Sequence, residues 1–274
     1  MILLDGRKTR DALVVQLVER IKALGRVPTL AIIQVGSRPD STAFIRAKKA
    51  FAKRIGINEK HIQIPEAATQ GEVIDLIKQC NKDQEVTGIV VQLPLPSHMD
   101  RDLVIDAIDV RKDVDGLTKE NVKLWLEGSR KAILPATARG VRELLKFYDI
   151  SLAGKKVAVI GRSMLVGKPI ASMCLNENAT VDVCHRGTLD IRSITKNADI
   201  IISAAGKPGL VTKDNVKPGQ VVVDVGITRT SENKLVGDVD FDAVKDIVLA
   251  LSPVPGGVGP MTVLALFENL LDLV

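Results

Sequence analysis

Lys48 stands four residues after Phe44 in the stretch Ser41-Thr42-Ala43-Phe44-Ile45-Arg46-Ala47-Lys48, a spacing that sets ring and amine on one face of a helix. A flat ring beside an amine suits a planar heterocyclic substrate. The plainer alternative makes Phe44 a core residue and Lys48 a solvated charge. Gln92 follows the apolar run Ile89-Val90-Val91 and opens Gln92-Leu93-Pro94-Leu95-Pro96. A neutral amide thus ends a buried strand, where it can hold an amine through its carbonyl oxygen. Lys112-Asp113-Val114-Asp115-Gly116 puts two acids in a turn. Their spacing would suit Mg²⁺ or Ca²⁺, but no acidic ligands follow at the offsets of a calcium loop, so no metal is expected. Asp115 has another use, as acceptor of paired hydrogen bonds from an amidine-like ring edge.

A second set lies further along. After the strand Lys156–Ile160, the segment Gly161-Arg162-Ser163-Met164-Leu165-Val166-Gly167-Lys168-Pro169 opens a helix. That is the setting in which helix N-terminal amides hold a pyrophosphate, although Ser163 takes the middle glycine position and an ordinary strand–helix turn would look similar. The next strand ends in Cys184-His185-Arg186-Gly187-Thr188. A site for NAD would place an acid there to bind ribose hydroxyls. Here no acid repels a 2′-phosphate, while Arg186, with Arg162, offers guanidinium forks to attract one. Two surface arginines at loop tips are the alternative; their placement at consecutive strand ends favours NADP. The further strand ends Ser203-Ala204-Ala205-Gly206 and Asp224-Val225-Gly226-Ile227 are small enough to let a dinucleotide lie across the sheet.

The third unusual segment, Pro253-Val-Pro-Gly-Gly-Val-Gly-Pro-Met-Thr262, carries three prolines and three glycines in ten residues. Such a segment does not suit the interior of a strand or helix. It is either a stiff connection, with Pro260 starting the terminal helix, or a wall of bare backbone that a flat ligand can approach.

These groups need elements to position them. Strands at Thr29–Val35, His61–Ile64 and Thr87–Gln92 alternate with helices at about 42–54 and 71–80. A second series has strands at Lys156–Ile160, Thr180–Cys184, Asp199–Ser203 and Gln220–Asp224, after a helix from about Arg139 to Tyr148. Alternation of this kind implies parallel sheets and two α/β lobes, with ligands bound beyond the carboxyl ends of the strands. The middle, Asp113 to Ala138, loses the rhythm and holds the only tryptophan, Trp125. A strand at Ile247–Leu251 precedes the Pro/Gly segment. The terminal helix, Val263–Leu273, spaces Leu264, Phe267, Leu270 and Leu271 helically and is expected to pack back on the first lobe.

Bulk composition narrows the partners. The 274 residues are 46% hydrophobic and 26% charged, the ordinary balance of a soluble globular chain. No apolar run approaches the roughly 20 residues of a membrane span, and the start has no signal-peptide pattern. Cys80, Cys174 and Cys184 are scattered, which points to a reducing cytoplasm. The net charge of +5 is dispersed and aromatics are 3%, so small anions rather than nucleic acid or membrane are the expected partners.

Taken in order, Phe44-x-x-x-Lys48, Val91-Gln92-Leu93-Pro94-x-Pro96, Lys112–Gly116, Gly161-Arg162-Ser163 and Pro253–Thr262 closely resemble the bifunctional methylenetetrahydrofolate dehydrogenase/cyclohydrolases. The likeness runs over essentially the whole chain, and Pro-Gly-Gly-Val-Gly-Pro-Met-Thr is its most specific element. It implies a folate-binding lobe, 1–137 completed by 255–274, a Rossmann-type NADP lobe, 138–254, a cleft between them, and a homodimer. By matching position Lys48 is implied as the catalytic lysine, Gln92 as its tuning partner and Asp115 as the pterin anchor. Phe44, Val91, Leu93 and the backbone of Pro255, Gly256, Gly257, Val258 and Gly259 are implied to line the folate pocket. Gly161, Arg162, Ser163, Arg186, Thr188 and Ile227 are implied to contact NADP. The implied reactions are oxidation of 5,10-methylenetetrahydrofolate and hydrolysis of the methenyl product to 10-formyltetrahydrofolate.

Two departures stand out. The family usually has Tyr where this chain has Phe44, and its Pro-Cys-Thr-Pro stretch reads Pro135-Ala136-Thr137-Ala138 here. Other readings of the same residues are an NADP-dependent dehydrogenase of the shikimate or amino-acid type, and a non-catalytic folate- or nucleotide-binding protein.

Overall fold

The computed structural model describes residues 1–274, the side chain of Asp40 excepted. β1 (Ile2–Leu3) and α1 (Gly6–Ala23) open the chain, followed by β2 (Thr29–Val35), α2 (Pro39–Ile55), β3 (Asn58–Ile64), α3 (Gln70–Lys82) and β4 (Gly88–Val91). α4 (Arg101–Ile105), α5 (Lys119–Leu126) and α6 (Ala136–Phe147) lead to the second series. That series runs β5 (Lys156–Ile160), α7 (Gly167–Asn176), β6 (Thr180–Cys184), α8 (Ile191–Asn197), β7 (Ile200–Ser203) and β8 (Val221–Asp224). β9 (Thr228–Arg229), β10 (Leu235–Val236), α9 (Phe241–Val244), β11 (Ala250–Leu251) and α10 (Val258–Asp272) complete it.

The chain divides into two units. The N-terminal unit comprises Leu13–Ala136 and Val263–Val274. Its sheet is parallel, in the order β3-β2-β4, with Ile32 of β2 in register with His61 on one side and Val90 on the other. β4 is buried along its length and β2 almost so, hence their apolar sequences; β3 has an outer edge and takes Glu, Lys, His and Gln. Ile33, Ile89, Val73, Ile77 and Val104 meet in the core. α3 is started by a reciprocal cap, Thr69 accepting from the Glu72 amide while the Glu72 carboxylate accepts from the Thr69 amide. α2 stops at Gly56, whose φ of 76° is a left-handed turn glycine reaches without strain. Phe51 of α2 packs its ring 5.4 Å from that of Phe267, so the terminal helix contributes its apolar stripe here as expected.

The C-terminal unit comprises Met1–Ala12 and Thr137–Thr262. Its six-stranded sheet has the order β1-β11-β8-β7-β5-β6, all neighbours parallel. The chain leaves β5 for β6 on one side and returns to place β7 on the other. The order therefore reverses at β5, and the crevice at the carboxyl ends of β5 and β7 is the expected ligand position.

Three differences from the sequence pattern have physical causes. Ile2–Leu3 pair with Ala250–Leu251, so Met1–Ala12 group with the C-terminal unit and not with the first lobe. Two-residue strands carry no periodicity to read. Within the irregular middle, α5 forms on a Thr118 cap and buries Trp125, whose indole N–H donates to the Gly116 carbonyl (3.2 Å). Finally α10 begins at Val258, five residues earlier than its apolar spacing indicates. Gly259 and Pro260 fall in its first turn, where an amide has no helical partner to lose.

Candidate functional site

α2 and the end of β4 bring the amine and the amide together: Lys48 Nζ donates to Gln92 Oε1 at 3.1 Å. Gln92 continues the ladder beyond β4, its backbone N–H donating to the Ile33 carbonyl (2.8 Å). Its side-chain Nε2 donates to the Leu93 carbonyl at 2.8 Å, which turns Oε1 toward the lysine. The neutral amide holds the amine without the charge that would keep it protonated. Burial lowers the Lys48 pKa, partly offset by the Asp115 carboxylate; burial raises the Asp115 pKa, partly offset by Lys48. Desolvation therefore moves both toward their uncharged forms.

The loop that carries Asp115 is folded by its neighbour, Asp113. The buried Asp113 carboxylate accepts from Gly116 N (2.9 Å), Thr118 N (2.9 Å), Thr118 Oγ1 (2.8 Å) and Asn121 Nδ2 (2.9 Å). Gly116 has φ of 66°, and a Cβ there would lie 2.1 Å from the Ile133 carbonyl oxygen. Asn269 of α10 holds the same loop through the Val114 carbonyl (2.8 Å). The pair of acids is thus divided: Asp113 folds the loop, and Asp115 faces the Lys48 charge. No group of three His, Cys, Asp or Glu side chains able to hold a metal occurs among the described residues. The plainer alternative for α2 is reversed: Phe44 is 48% exposed, while the Lys48 amine is withdrawn from water. Val91 is buried and Leu93 half-buried beside Gln92.

In the C-terminal unit a cavity of about 780 Å³ lies at the ends of β5, β6 and β7, lined by Gly161, Arg162, Ser163, Arg186, Thr188 and the 204–207 turn. Five of the six residues assigned to the dinucleotide therefore share one cavity; Ile227, half exposed, is not among those lining it. Gly161 has φ of 121°, and a Cβ there would meet the Ala204 carbonyl oxygen at 2.3 Å. A Cβ on Gly167 would meet the Gly161 carbonyl oxygen at 2.3 Å. Two glycines thus fold the turn close enough for its amides to face a pyrophosphate. Ser163, in the third turn position, accepts through Oγ from Val166 N (3.2 Å) and Gly167 N (3.4 Å), closing the entry to α7. Thr188 Oγ1 accepts from the His185 amide (2.9 Å), shaping the loop that carries Arg186. Gly161→Ala is expected to weaken dinucleotide binding about tenfold or more through this overlap, measured by fluorescence titration with NADPH.

The Pro/Gly segment is part turn and part helix. Gly256, at φ of 113°, accepts from the Gly6 amide (3.0 Å), and the Gly257 amide donates to the Pro253 carbonyl (2.8 Å). Gly257 and Val258 are buried, whereas Pro255 is exposed and a Cβ on Gly259 would meet open space. Some of its backbone is spent on its own turn; Pro255 and Gly259 remain as surface.

A sequence-family profile described as tetrahydrofolate dehydrogenase/cyclohydrolase, catalytic domain, matches residues 4–115, and one for the NAD(P)-binding domain of the same family matches residues 135–274. The bifunctional protein FolD of Agathobacter rectalis is 45% identical over 274 residues, covering 98% of both chains. Among solved structures, the bifunctional methylenetetrahydrofolate dehydrogenase/cyclohydrolase FolD of Campylobacter jejuni superposes with a TM-score of 0.97 at 43% identity, covering 100% of this chain and 98% of the other. The Trypanosoma brucei enzyme, solved with NADP cofactor and an inhibitor, gives 0.95 at 37% identity, covering 100% and 97%.

Proposed function

Because the chain belongs to the tetrahydrofolate dehydrogenase/cyclohydrolase family, we propose that Lys48, Gln92 and Asp115 are the groups that work on its folate. The protein oxidises 5,10-methylenetetrahydrofolate to 5,10-methenyltetrahydrofolate with NADP and hydrolyses that product to 10-formyltetrahydrofolate. The family match over both units sets aside the shikimate-type and non-catalytic readings. The observation that carries the residue assignment is the Lys48–Gln92 contact, built within the stretch matched by the catalytic-domain profile.

Lys48 acts in the hydrolysis. As a neutral amine it accepts a proton from the water that attacks the methenyl carbon and returns it to the ring nitrogen as the C–N bond breaks, while the remaining hydroxyl proton passes to solvent as the formyl C=O forms. Gln92 holds the amine in place through both states, since a carbonyl oxygen can accept from ammonium and from neutral amine, and being uncharged it favours the ammonium less than a carboxylate would. Asp115, as carboxylate, pairs with the donor edge of the pterin, and the exposed ring of Phe44 stacks on the folate, with Val91 and Leu93 beside it. The cradle at Gly161, with Arg162, Ser163, Arg186 and Thr188, fits NADP, the two guanidinium groups being suited to its 2′-phosphate; Ile227 is assigned as a further contact. When bound, NADP supplies the oxidising equivalent for the first reaction.

Phe44 lacks the hydroxyl its family usually carries beside the lysine. Phe44→Tyr is expected to raise the hydrolysis rate more than the oxidation rate, compared in steady-state assays of each; equal changes in both would reject a part for that hydroxyl in proton transfer.

We also propose a homodimer, consistent with an outer edge of β3 that pairs with nothing else among the described residues; light scattering tests it. No helix among the described residues is long and apolar enough to cross a membrane. A cytoplasmic location is supported by three buried free thiols. The reading as a whole is tested by mixing the protein with methylenetetrahydrofolate and NADP⁺ or NAD⁺ and following methenyl absorbance. It should rise with NADP⁺ and then decay; a trace that does not rise refutes the oxidation, and one that rises without enzyme-dependent decay refutes the hydrolysis.

A further inference from the structure

Two carboxylates lie beneath the 204–207 wall of the dinucleotide cavity, each buried and each held by backbone amides. Asp238, fully buried, accepts from Ser203 Oγ (2.8 Å) and Ala205 N (2.7 Å) on Oδ2, and from Lys207 N (2.7 Å) on Oδ1. Asp224, at the end of β8, accepts from the amides of Gly226 (3.0 Å), Asp238 (3.0 Å) and Val239 (2.9 Å). Its own amide donates to Ser252 Oγ (2.7 Å). Burial pushes the Asp224 carboxyl up to about 6 despite these amides. Both acids are packed tightly by glycines: a Cβ on Gly226 would come within 2.2 Å of Asp238 Oδ1, and one on Gly237 within 1.9 Å of Asp224 Oδ2.

The arrangement is a relay of rigid contacts. Ser252 and Asp224 fix the segment that carries Asp238, and Asp238 gathers three donors of the turn from Ser203 to Lys207. That turn is the wall against which Gly161 is pressed, its missing Cβ making room for the Ala204 carbonyl. Amide and hydroxyl donors converging on one charged acceptor give short, strong hydrogen bonds, and an acid satisfies all three where a neutral amide would turn an N–H against another N–H.

We infer that Asp238 is a positioning residue for the dinucleotide: by anchoring the Ser203–Lys207 turn it sets the wall that the cofactor lies against, without touching the cofactor or the folate. The inference rests on the NADP reading of the cavity, so the parent protein is assayed first; no NADP⁺-dependent oxidation there would refute that reading and not this one.

With an active parent, Asp238→Asn puts an NH₂ against the Lys207 amide. It is expected to raise the KM for NADP⁺ and the Kd for NADPH about tenfold, with a much smaller change in kcat at saturating cofactor. Hydrolysis of methenyltetrahydrofolate supplied directly, with no dinucleotide present, should keep its rate, a result that general loss of structure would not give. An unaltered KM for NADP⁺, or parallel loss of both activities in a variant with native circular dichroism, overturns the inference. Ser203→Ala removes a single donor and decides the matter if Asp238→Asn does not fold. A rise of about threefold in the KM for NADP⁺ is then the expected result, and an unchanged KM the contrary one.

Discussion

Lys48→Met is expected to cut hydrolysis of methenyltetrahydrofolate about 10²–10⁴-fold, the usual worth of a positioned acid–base group. Methionine keeps an unbranched chain of similar reach and removes only the amine, so the packing of α2 against the sheet should survive and folate should still bind. The intermediate should then build up: in a trace started from methylenetetrahydrofolate and NADP⁺, methenyl absorbance would rise and stay. Decay at the parent rate would remove Lys48 from the mechanism. The pH dependence of the parent adds a sign. A lysine whose pKa is lowered by burial becomes a base at lower pH than a free one, so the hydrolysis rate should climb through a limb displaced below the ordinary lysine range.

Asp115→Ala should act on both binding and that limb. Its loss leaves a pterin donor edge unpaired at a cost of about 1–3 kcal/mol, roughly a five- to 150-fold rise in the Kd for folate. The carboxylate also raises the Lys48 pKa, so removing it should let burial act alone and shift the ascending limb to lower pH. The two effects are separable: affinity is read from folate titration, the limb from kcat at saturating folate across pH. A folate Kd equal to the parent's would deny Asp115 the pterin, and a limb that stays in place would deny its electrostatic hold on the lysine.

Legibility followed the strength of local pattern. β2 and β5 coincide with their apolar runs to the residue, because strands buried in parallel sheets have few polar positions to blur them; β6 matches its β-branched run although it is the sheet's exposed edge. The same regularity places Gln92 and Gly161 at strand ends, where ligands are expected in such sheets. Asp113 is legible as half of an acidic pair, but its part in the loop depends on Thr118 and Asn121, residues that carry no motif. Asp238 is the stronger case: its three donors lie more than thirty residues away in sequence, and no spacing rule connects them. Phe44 and Lys48 are legible by spacing but run against the usual burial. Burial statistics put the ring inside and the amine outside, and this helix does the reverse because its lysine has an amide waiting at the end of β4.

The pairing of Ile2–Leu3 with Ala250–Leu251 has a consequence for how the protein is made. Met1–Ala12 belong to the unit built mainly from the later residues, Thr137–Thr262, while Val263–Val274 complete the unit built mainly from the earlier ones, Leu13–Ala136. The β1–β11 pairing and the Phe51–Phe267 contact each join segments roughly 200 residues or more apart, so neither forms until the later segment has been made. Cutting the gene between residues 136 and 137 would yield two fragments, each missing a piece carried by the other.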